Sequence, residues 1–186
     1  MKQIKKFLFG AIAILFVNAS FAQMEKTVMV GGAAMYPSKN IVENAVNSKD
    51  HTTLVAAVKA AGLVSTLQSA GPFTVFAPTN KAFDGLPAGT VDNLLKPESK
   101  AALTGVLTYH VVAGKYTSMD LAKLIKAGNG TATLKTVAGG NLMVMMKGKK
   151  IAVKDESGNV AYVTIKDVNQ SNGVIHVVDH VLLPKM

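Results

Sequence analysis

The sequence predicts an α+β fold, with helices in the first two-thirds of the chain packed on a mostly antiparallel β-sheet formed largely by the last third. Two observations support this prediction. Apolar residues recur at helical spacing up to about residue 126, and five short segments rich in β-branched residues follow, separated by glycine turns. Helices and strands that are segregated in this way are typical of α+β domains rather than of alternating βαβ units.

The N-terminal segment has the pattern of a secretory signal peptide. Lysines among the first six residues precede an apolar run at 7–17, and small residues occupy the two positions before Gln23 that a signal peptidase reads. That run is much shorter than the roughly 20 residues needed to span a bilayer, which disfavours an uncleaved membrane anchor. We therefore expect cleavage between Ala22 and Gln23, removal of residues 1–22, and export of the mature protein to the periplasm or beyond the cell.

The composition narrows the class of protein. There is no cysteine, so neither disulfides nor a lipid-attachment cysteine are available. A cysteine-free exported chain with a short lysine-rich signal fits a bacterial host.

All 20 basic residues are lysine, so the arginine guanidinium groups that bind phosphates and guanine edges through paired hydrogen bonds are absent, and we expect no nucleic-acid partner. The net charge of +9 still permits weak attraction to anionic surfaces.

The mature chain has the length of one domain. We expect residues 23–39 to form an extended N-terminal lead-in, with a short strand around 27–30, and residues 40–186 to form the domain. No internal repeat and no linker divides the mature chain further. Once the signal is removed, no segment of the sequence predicts an integral membrane protein, and we expect a monomer.

Candidate capping residues predict where the first two helices begin. Asn40 is predicted to cap a short helix, with Glu43 at the capping-box spacing. Asp50 is predicted to cap a second helix, whose apolar stripe continues past Gly62 to about Gln68.

Turn residues mark the elements that follow. Residues 73–76 form a large apolar run that predicts a buried strand, after which Thr79 is predicted to cap a short helix. Thr90 is predicted to cap another, and Pro97 lies in the first turn of a helix running to about Leu107.

One extended segment and one helix precede the predicted strands of the last third. Residues 109–112 are expected to be extended. Residues 118–126 should form an amphipathic helix with Leu121, Leu124 and Ile125 inward. Alternating or β-branched patterns between glycine turns then predict strands at 131–137, 142–146, 150–154, 161–168 and 174–183.

Three segments, at 71–83, 107–114 and 171–184, resemble in order and spacing the two flanking motifs and the central Tyr-His motif of the fasciclin domain. The resemblance covers essentially all of residues 40–186, and the chain looks like a small secreted single-domain bacterial member of the family. It implies a fasciclin-like fold, in which the helices pack on a β-sheet wedge or sandwich. It also implies a role in adhesion rather than catalysis.

The resemblance supplies the candidate partner-binding residues. Tyr109 and His110 form the Tyr-His pair, which is associated in the family with cell adhesion, through integrins in animal members. Asp167 and Val168 match an Asp-Ile pair that is linked to adhesion in animal members, although Ile165-Lys166 stand where some of those members have Glu-Pro. Alternatively, Tyr109 and His110 have a structural role, because a buried tyrosine or histidine with a hydrogen-bond partner stabilises the fold.

No catalytic, metal or cofactor site is predicted. His176 and His180 lie on one predicted strand, four residues and roughly 13 Å apart, so they cannot share one metal ion. There is no Gly-x-Ser-x-Gly stretch, and the glycine pairs do not complete a nucleotide-binding loop. We therefore expect no enzymatic activity and no cofactor.

Two functions remain from the sequence. The first is an exported, non-catalytic adhesion or interaction module that binds a protein or polysaccharide partner on a cell surface or in a matrix. The alternative is a periplasmic carrier of an apolar small molecule, such as a lipid or pigment. The alternative is suggested by Met143, Met145 and Met146, because thioether side chains adapt to the shape of a ligand.

Overall fold

The computed structural model describes residues 25–185, so the expected signal peptide and the Ala22–Gln23 cleavage site lie outside the described residues. The helices are α1 (Ile41–Ala45), α2 (Thr52–Ala61), α3 (Val64–Gln68), α4 (Asn80–Asp84), α5 (Thr90–Leu94), α6 (Lys100–Tyr109) and α7 (Ser118–Ala127). Short 3-10 turns precede α2 and α6, at Lys49–His51 and Pro97–Ser99. The strands are β1 (Val28–Val30), β2 (Ala33–Met35), β3 (Phe73–Pro78), β4 (Val111–Ala113), β5 (Thr131–Lys135), β6 (Asn141–Lys147), β7 (Lys150–Lys154), β8 (Val160–Gln170) and β9 (Gly173–Val178).

These elements confirm the predicted α+β fold. The main sheet has the strand order β4-β3-β9-β8-β7-β6-β5. Strands β3 and β9 run parallel, and the other neighbours are antiparallel. A bridge between Val112 and Thr136 brings the two ends of the sheet together, so the sheet is nearly barrel-like.

The central strands separate two cores. Val75 and Ile175 face a helix-side core under α1, α2, α3 and α6, whereas Phe76 and Val178 face a barrel-side core closed by α7. Alternate residues of a strand point to opposite faces, and here both faces are covered. All six residues of β9 are therefore buried, which explains why its sequence is apolar apart from His176.

The N-terminal lead-in folds back on itself. Strands β1 and β2 pair as a hairpin that buries Val30 and Met35 in the helix-side core. The turn needs Gly31, because its φ is 57° and an added Cβ would collide with Ser48 Oγ. The strand expected around residues 27–30 is present. The domain boundary at residue 40 stays a prediction.

The first predicted cap is confirmed and the second is wrong. Asn40 and Glu43 form the reciprocal capping box of α1. Asp50 does not cap α2, because it lies inside the 3-10 turn rather than before the helix. Asn80, far away in sequence, takes that place. Its Oδ1 accepts from Thr53 N at 3.0 Å, and its Nδ2 donates to the Lys49 carbonyl at 2.9 Å.

Four smaller expectations are corrected. Thr90 is the first residue of α5 rather than its cap. Leu124 is exposed, because α7 packs through the stripe formed by Leu121 and Ile125. Residues 109 and 110 end a helix instead of starting a strand. The last strand ends at Val178, because the Asp179 carboxylate accepts from Tyr162 N and bends the chain away.

Among residues 25–185, no helix is both long enough and apolar enough to cross a lipid bilayer.

Candidate functional site

Tyr109 ends α6 and is fully buried in the barrel-side core. Its hydroxyl donates to the Asn141 carbonyl at 2.7 Å and accepts from Glu156 N at 3.0 Å. Burial raises the pKa of the Tyr109 hydroxyl, and the nearby Glu156 carboxylate adds to this effect. The side chain thus joins α6 to the start of β6 and to the loop after β7.

A glycine lets the chain close over this tyrosine. A Cβ on Gly140 would lie 2.8 Å from Tyr109 Cε2 and 3.0 Å from Glu156 Oε2. Any larger residue would push the β5–β6 turn away from the ring. Packing against Tyr109 therefore requires a glycine at position 140, although the sequence pattern predicted only a turn there.

His110 is 3% exposed, and both of its ring nitrogens are bonded. Nδ1 lies 2.8 Å from the Val106 carbonyl and donates to it, while Nε2 accepts from Leu182 N at 2.9 Å. The bond accepted by Nε2 requires the neutral ring with its proton on Nδ1, because both nitrogens of a protonated ring are donors. Burial lowers the pKa of His110 to about 4, against the opposing effects of the Val106 carbonyl and Asp155. His110 thus fastens the C-terminal segment to the end of α6.

Asp167 holds the N-terminus of α7. It lies in the irregular part of β8 with φ of 58°, and it is half-buried. Its Oδ1 accepts from Ser118 N at 2.6 Å, and its Oδ2 accepts from Ser118 Oγ. A carboxylate at this position also complements the positive end of the α7 dipole.

His176 continues this connection into the core. Its Nδ1 accepts from Asp167 N at 3.3 Å, and its Nε2 donates to the Tyr116 carbonyl at 2.8 Å. The ring stacks on Phe76 with centroids 5.8 Å apart. Burial lowers the pKa of the His176 imidazole, in keeping with a neutral ring.

Asn172 is a structural clamp that the sequence did not reveal. Its Oδ1 accepts from Ile41 N at 3.0 Å, and its Nδ2 donates to the carbonyls of Leu67 and Ser69 at 2.8 Å each. One buried side chain thereby joins β9 to α1 and α3. The Asn172-Gly173 pair signalled a turn, and a turn signal carries no information on side-chain partners that are more than 100 residues away.

The four candidate residues do not form one site. Tyr109 and His110 are buried at the end of α6, and Val168 is 1% exposed in the helix-side core. Asp167, on β8, is the one that reaches the surface in part, and it shares no hydrogen-bond partner with the Tyr-His pair. Direct contact of these residues with a partner stays a prediction.

No cluster of three or more histidine or acidic side chains suited to a metal ion occurs in residues 25–185. His180 lies outside β9, is exposed, and pairs with Asp179 at 2.8 Å. His176 is enclosed in the core.

An open groove of about 520 Å³ lies beside Asp167, between α7, the β6–β7 hairpin and β8. Met119 and Met146 lie along it and are 69% and 42% exposed. We call this surface the lysine groove, because Lys149, Lys150 and Lys166 line it with Ser118, Met119, Ala122, Met146, Ile151, Val163 and Thr164. Ser118, held by Asp167, forms part of the wall.

Comparison with known proteins identifies the relatives. A family model for the fasciclin domain matches residues 49–184. Protein sll1483 of Synechocystis sp. is 48% identical over 90% of this chain and 86% of that protein. Immunogenic protein MPB70 of Mycobacterium bovis is 38% identical over 75% of this chain and 66% of its own. Human periostin is 30% identical over 73% of this chain, which corresponds to 15% of periostin.

The fold also matches a solved structure. A FAS1 domain pair from the insect cell adhesion molecule fasciclin I aligns with a TM-score of 0.69, over 86% of this chain and 58% of that chain. At 19% identity this likeness shows a shared fold. The family model, which covers most of the chain, and the relatives agree with it: this chain belongs to the fasciclin domain family.

Proposed function

We propose that this protein is an exported, non-catalytic interaction module that binds an anionic partner on a cell surface or in a matrix. Membership of the fasciclin domain family supports an interaction role, and the N-terminal signal pattern supports export. We place the binding surface at the lysine groove, because lysine and methionine side chains lie together there and are exposed to solvent.

The charges around the groove favour an anionic partner. Within residues 25–185, no carboxylate lies within ion-pair distance of Lys149, Lys150 or Lys166. The carboxylate of Asp167 is close by, but Ser118 already occupies both of its oxygens. Three unpaired ammonium groups on one surface attract an anion and speed its association at low ionic strength. Met119 and Met146 can adapt to the apolar parts of the same partner.

The Tyr-His pair and the Asp-Val pair are proposed to act indirectly. Tyr109 and His110 hold the end of α6 in the core, while Val168 anchors β8 next to Asp167. Asp167 in turn positions Ser118 and with it the wall of the lysine groove. Substitutions at Tyr109, His110 and Val168 therefore act on the stability of the fold, whereas a substitution at Asp167 also alters the groove that binds the partner.

Two of the three buried histidines, His110 and His176, argue for a role without catalysis. Both ring nitrogens of His110 and of His176 are engaged by backbone groups. A general base needs a ring nitrogen within reach of a substrate proton. Neither imidazole offers one in this arrangement.

Binding of the mature protein, residues 23–186, to intact cells, to isolated cell envelope and to exopolysaccharide tests the proposal. We expect saturable binding to at least one of these, weakened by added salt. The triple variant Lys149→Glu, Lys150→Glu and Lys166→Glu should lower affinity about tenfold or more, because each exposed charge pair contributes up to about 1 kcal/mol.

The matched control reverses three exposed lysines elsewhere, Lys26, Lys81 and Lys96, and therefore carries the same net charge. It should retain most of the affinity. Absence of saturable binding to all three targets, or equal loss in both triple variants, would reject the proposal. Treating the cells with protease or with glycosidase then distinguishes an acidic protein from an acidic polysaccharide.

A further inference from the structure

A separate cavity of about 100 Å³ lies between α1, α2 and α3 on one side and β3 and β9 on the other. Apolar side chains line it, apart from Lys59, Thr66 and Thr108. The Thr108 hydroxyl bonds to the Thr104 carbonyl within α6, at 2.7 Å, and is thereby satisfied within its own helix. Lys59 and Thr66 are exposed residues, so the buried part of the lining presents no unbonded polar side chain.

The cavity reaches the surface. Val55, Leu63 and Val64 line it and are half-buried, and Val137 at its edge is 48% exposed. An apolar chain can thus run from the inner wall, near Val75 and Ile175, to the solvent without meeting a polar wall.

One exposed lysine lines the cavity, and a second exposed lysine lies close to the loop that enters α3. Lys59, in the last turn of α2, lines the cavity. Lys100 does not line the cavity, but its Nζ lies 3.5 Å from the position that a Cβ on Gly62 would take, and Gly62 directly precedes Leu63 of the lining. Across the described part of the chain, no carboxylate forms an ion pair with either ammonium group.

We propose that this cavity binds the hydrocarbon chain of an anionic single-chain amphiphile, such as a medium-chain fatty acid, with its head group at Lys59 and Lys100. A polar group inside the cavity would lose its hydrogen bonds to water without replacement, so the ligand must enter by its apolar end. The two unpaired ammonium groups at the mouth then select an anionic head group by charge complementarity.

The size of the cavity sets the class of ligand. An apolar cavity of roughly 150 Å³ accommodates one benzene ring. A smaller cavity takes the end of an alkyl chain, and a bulky pigment exceeds it. The methionines of β6 do not line this cavity, which is also distinct from the lysine groove, so the inference is independent of the proposed function.

Titration of the mature protein with dodecanoate below its micellar concentration tests the inference, followed by calorimetry and by amide chemical shifts in NMR. We expect one binding site, with the shifts concentrated in α2 and α3. Dodecyltrimethylammonium, which has the same chain and the opposite charge, should bind at least about tenfold more weakly, because two favourable contacts become repulsive.

Two pairs of variants check the location. Val55→Phe fills the cavity and should abolish binding, whereas Val91→Phe changes a half-buried helical valine that does not line it and should not. The double variant Lys59→Glu and Lys100→Glu should weaken dodecanoate binding about tenfold. Lys81→Glu should leave it unchanged.

The inference is wrong if wild-type protein shows no saturable site, or if the shifts map outside α2 and α3. It is equally wrong if the cationic amphiphile binds as well as dodecanoate. Thermal unfolding of each variant distinguishes a filled cavity from a lost fold. If Val55→Phe unfolds, the double lysine variant decides the location by itself.

Discussion

The residues that mark the family and the residues that face solvent occupy opposite environments. The motif network, which we define as Tyr109, His110, Asn172 and His176, is buried, and its hydrogen bonds link segments far apart in sequence. The lysine groove is open and its cations are unpaired among the described residues. The motif network favours a single fold, because each of its buried polar groups needs a hydrogen-bond partner. The second tolerates substitution, because exposed side chains make few obligatory contacts.

The comparison therefore separates two kinds of experiment. Changes in the motif network should alter the free energy of unfolding, and changes in the lysine groove should alter partner binding at nearly constant stability. Asp167 and Ser118 lie where the two regions meet.

The largest effect is expected for Asn172→Ala. This change removes the bond to Ser69 O and leaves two buried groups, Ile41 N and Leu67 O, without their partner; buried groups left unpaired cost about 1–3 kcal/mol each. We expect the free energy of unfolding to fall by roughly 4 kcal/mol, measured by urea denaturation. The exposed Asn93→Ala on α5 is the control and should change it by less than about 0.5 kcal/mol. A loss below about 1 kcal/mol for Asn172→Ala would show that the clamp is dispensable.

Acid should destabilise the protein through its buried histidines. The pKa of His110 is about 4 in the folded protein, against about 6.5 for a free imidazole side chain. Between these values the unfolded chain binds a proton that the folded chain does not, so stability is fully present above pH 6.5 and falls as the pH falls towards 4. The loss from His110 is roughly 3 kcal/mol.

Burial lowers the pKa of His51 and of His176 as well, so their contributions have the same sign. Urea denaturation between pH 7.5 and 4 measures the total, and the ring nitrogen shifts in NMR follow His110 alone. A His110 that titrates near pH 6.5 in the folded protein would contradict its assigned environment.

A smaller effect is expected for Tyr109→Phe. The ring stays in place, but Asn141 O and Glu156 N lose their shared hydroxyl partner. We expect a loss of roughly 1–2 kcal/mol in the free energy of unfolding and unchanged affinity for the partner. Tyr162→Phe, which removes the hydroxyl of a half-buried tyrosine, is the control. If Tyr109→Phe abolishes binding and leaves stability unchanged, the Tyr-His pair contacts the partner after all.

The smallest change in stability is expected for Ser118→Ala, at the junction of the two regions. It removes the bond from Ser118 Oγ to Asp167 and retains the one from Ser118 N. We expect a loss of about 1 kcal/mol, together with weaker partner binding, because the wall of the lysine groove loosens. The exposed Ser65→Ala should affect neither quantity. If Ser118→Ala lowers stability but preserves affinity, the wall of the groove does not take part in binding.

Local patterns predicted the local structure well. The capping box of Asn40 and Glu43 and the cap at Thr79 depend on residues three apart, and both are present. The strand at residues 150–154 was predicted with its observed bounds, since glycine turns enclose it. Asp50 failed as a cap because Asn80, from a different motif, occupies the start of α2.

The candidate site was harder to predict, for a physical reason. Tyr109 and His110 stand in a β-branched context that favours a strand, yet tertiary contacts extend α6 through Tyr109. Their exposure depends on what covers them, namely the β5–β6 turn at Gly140 and the C-terminal segment at Leu182. No local pattern encodes either contact.

The sequence by itself determined the family, the α+β order of elements and the candidate signal peptide, because each depends on residue types in a fixed order along the chain. Only the tertiary structure decided that the Tyr-His pair is buried, that Asn172 joins three elements, and where cations and apolar side chains meet in the open. Those properties depend on groups brought together from distant parts of the chain. The burial of a side chain, the shift of its pKa and the arrangement of charges on the surface arise only once the chain has folded.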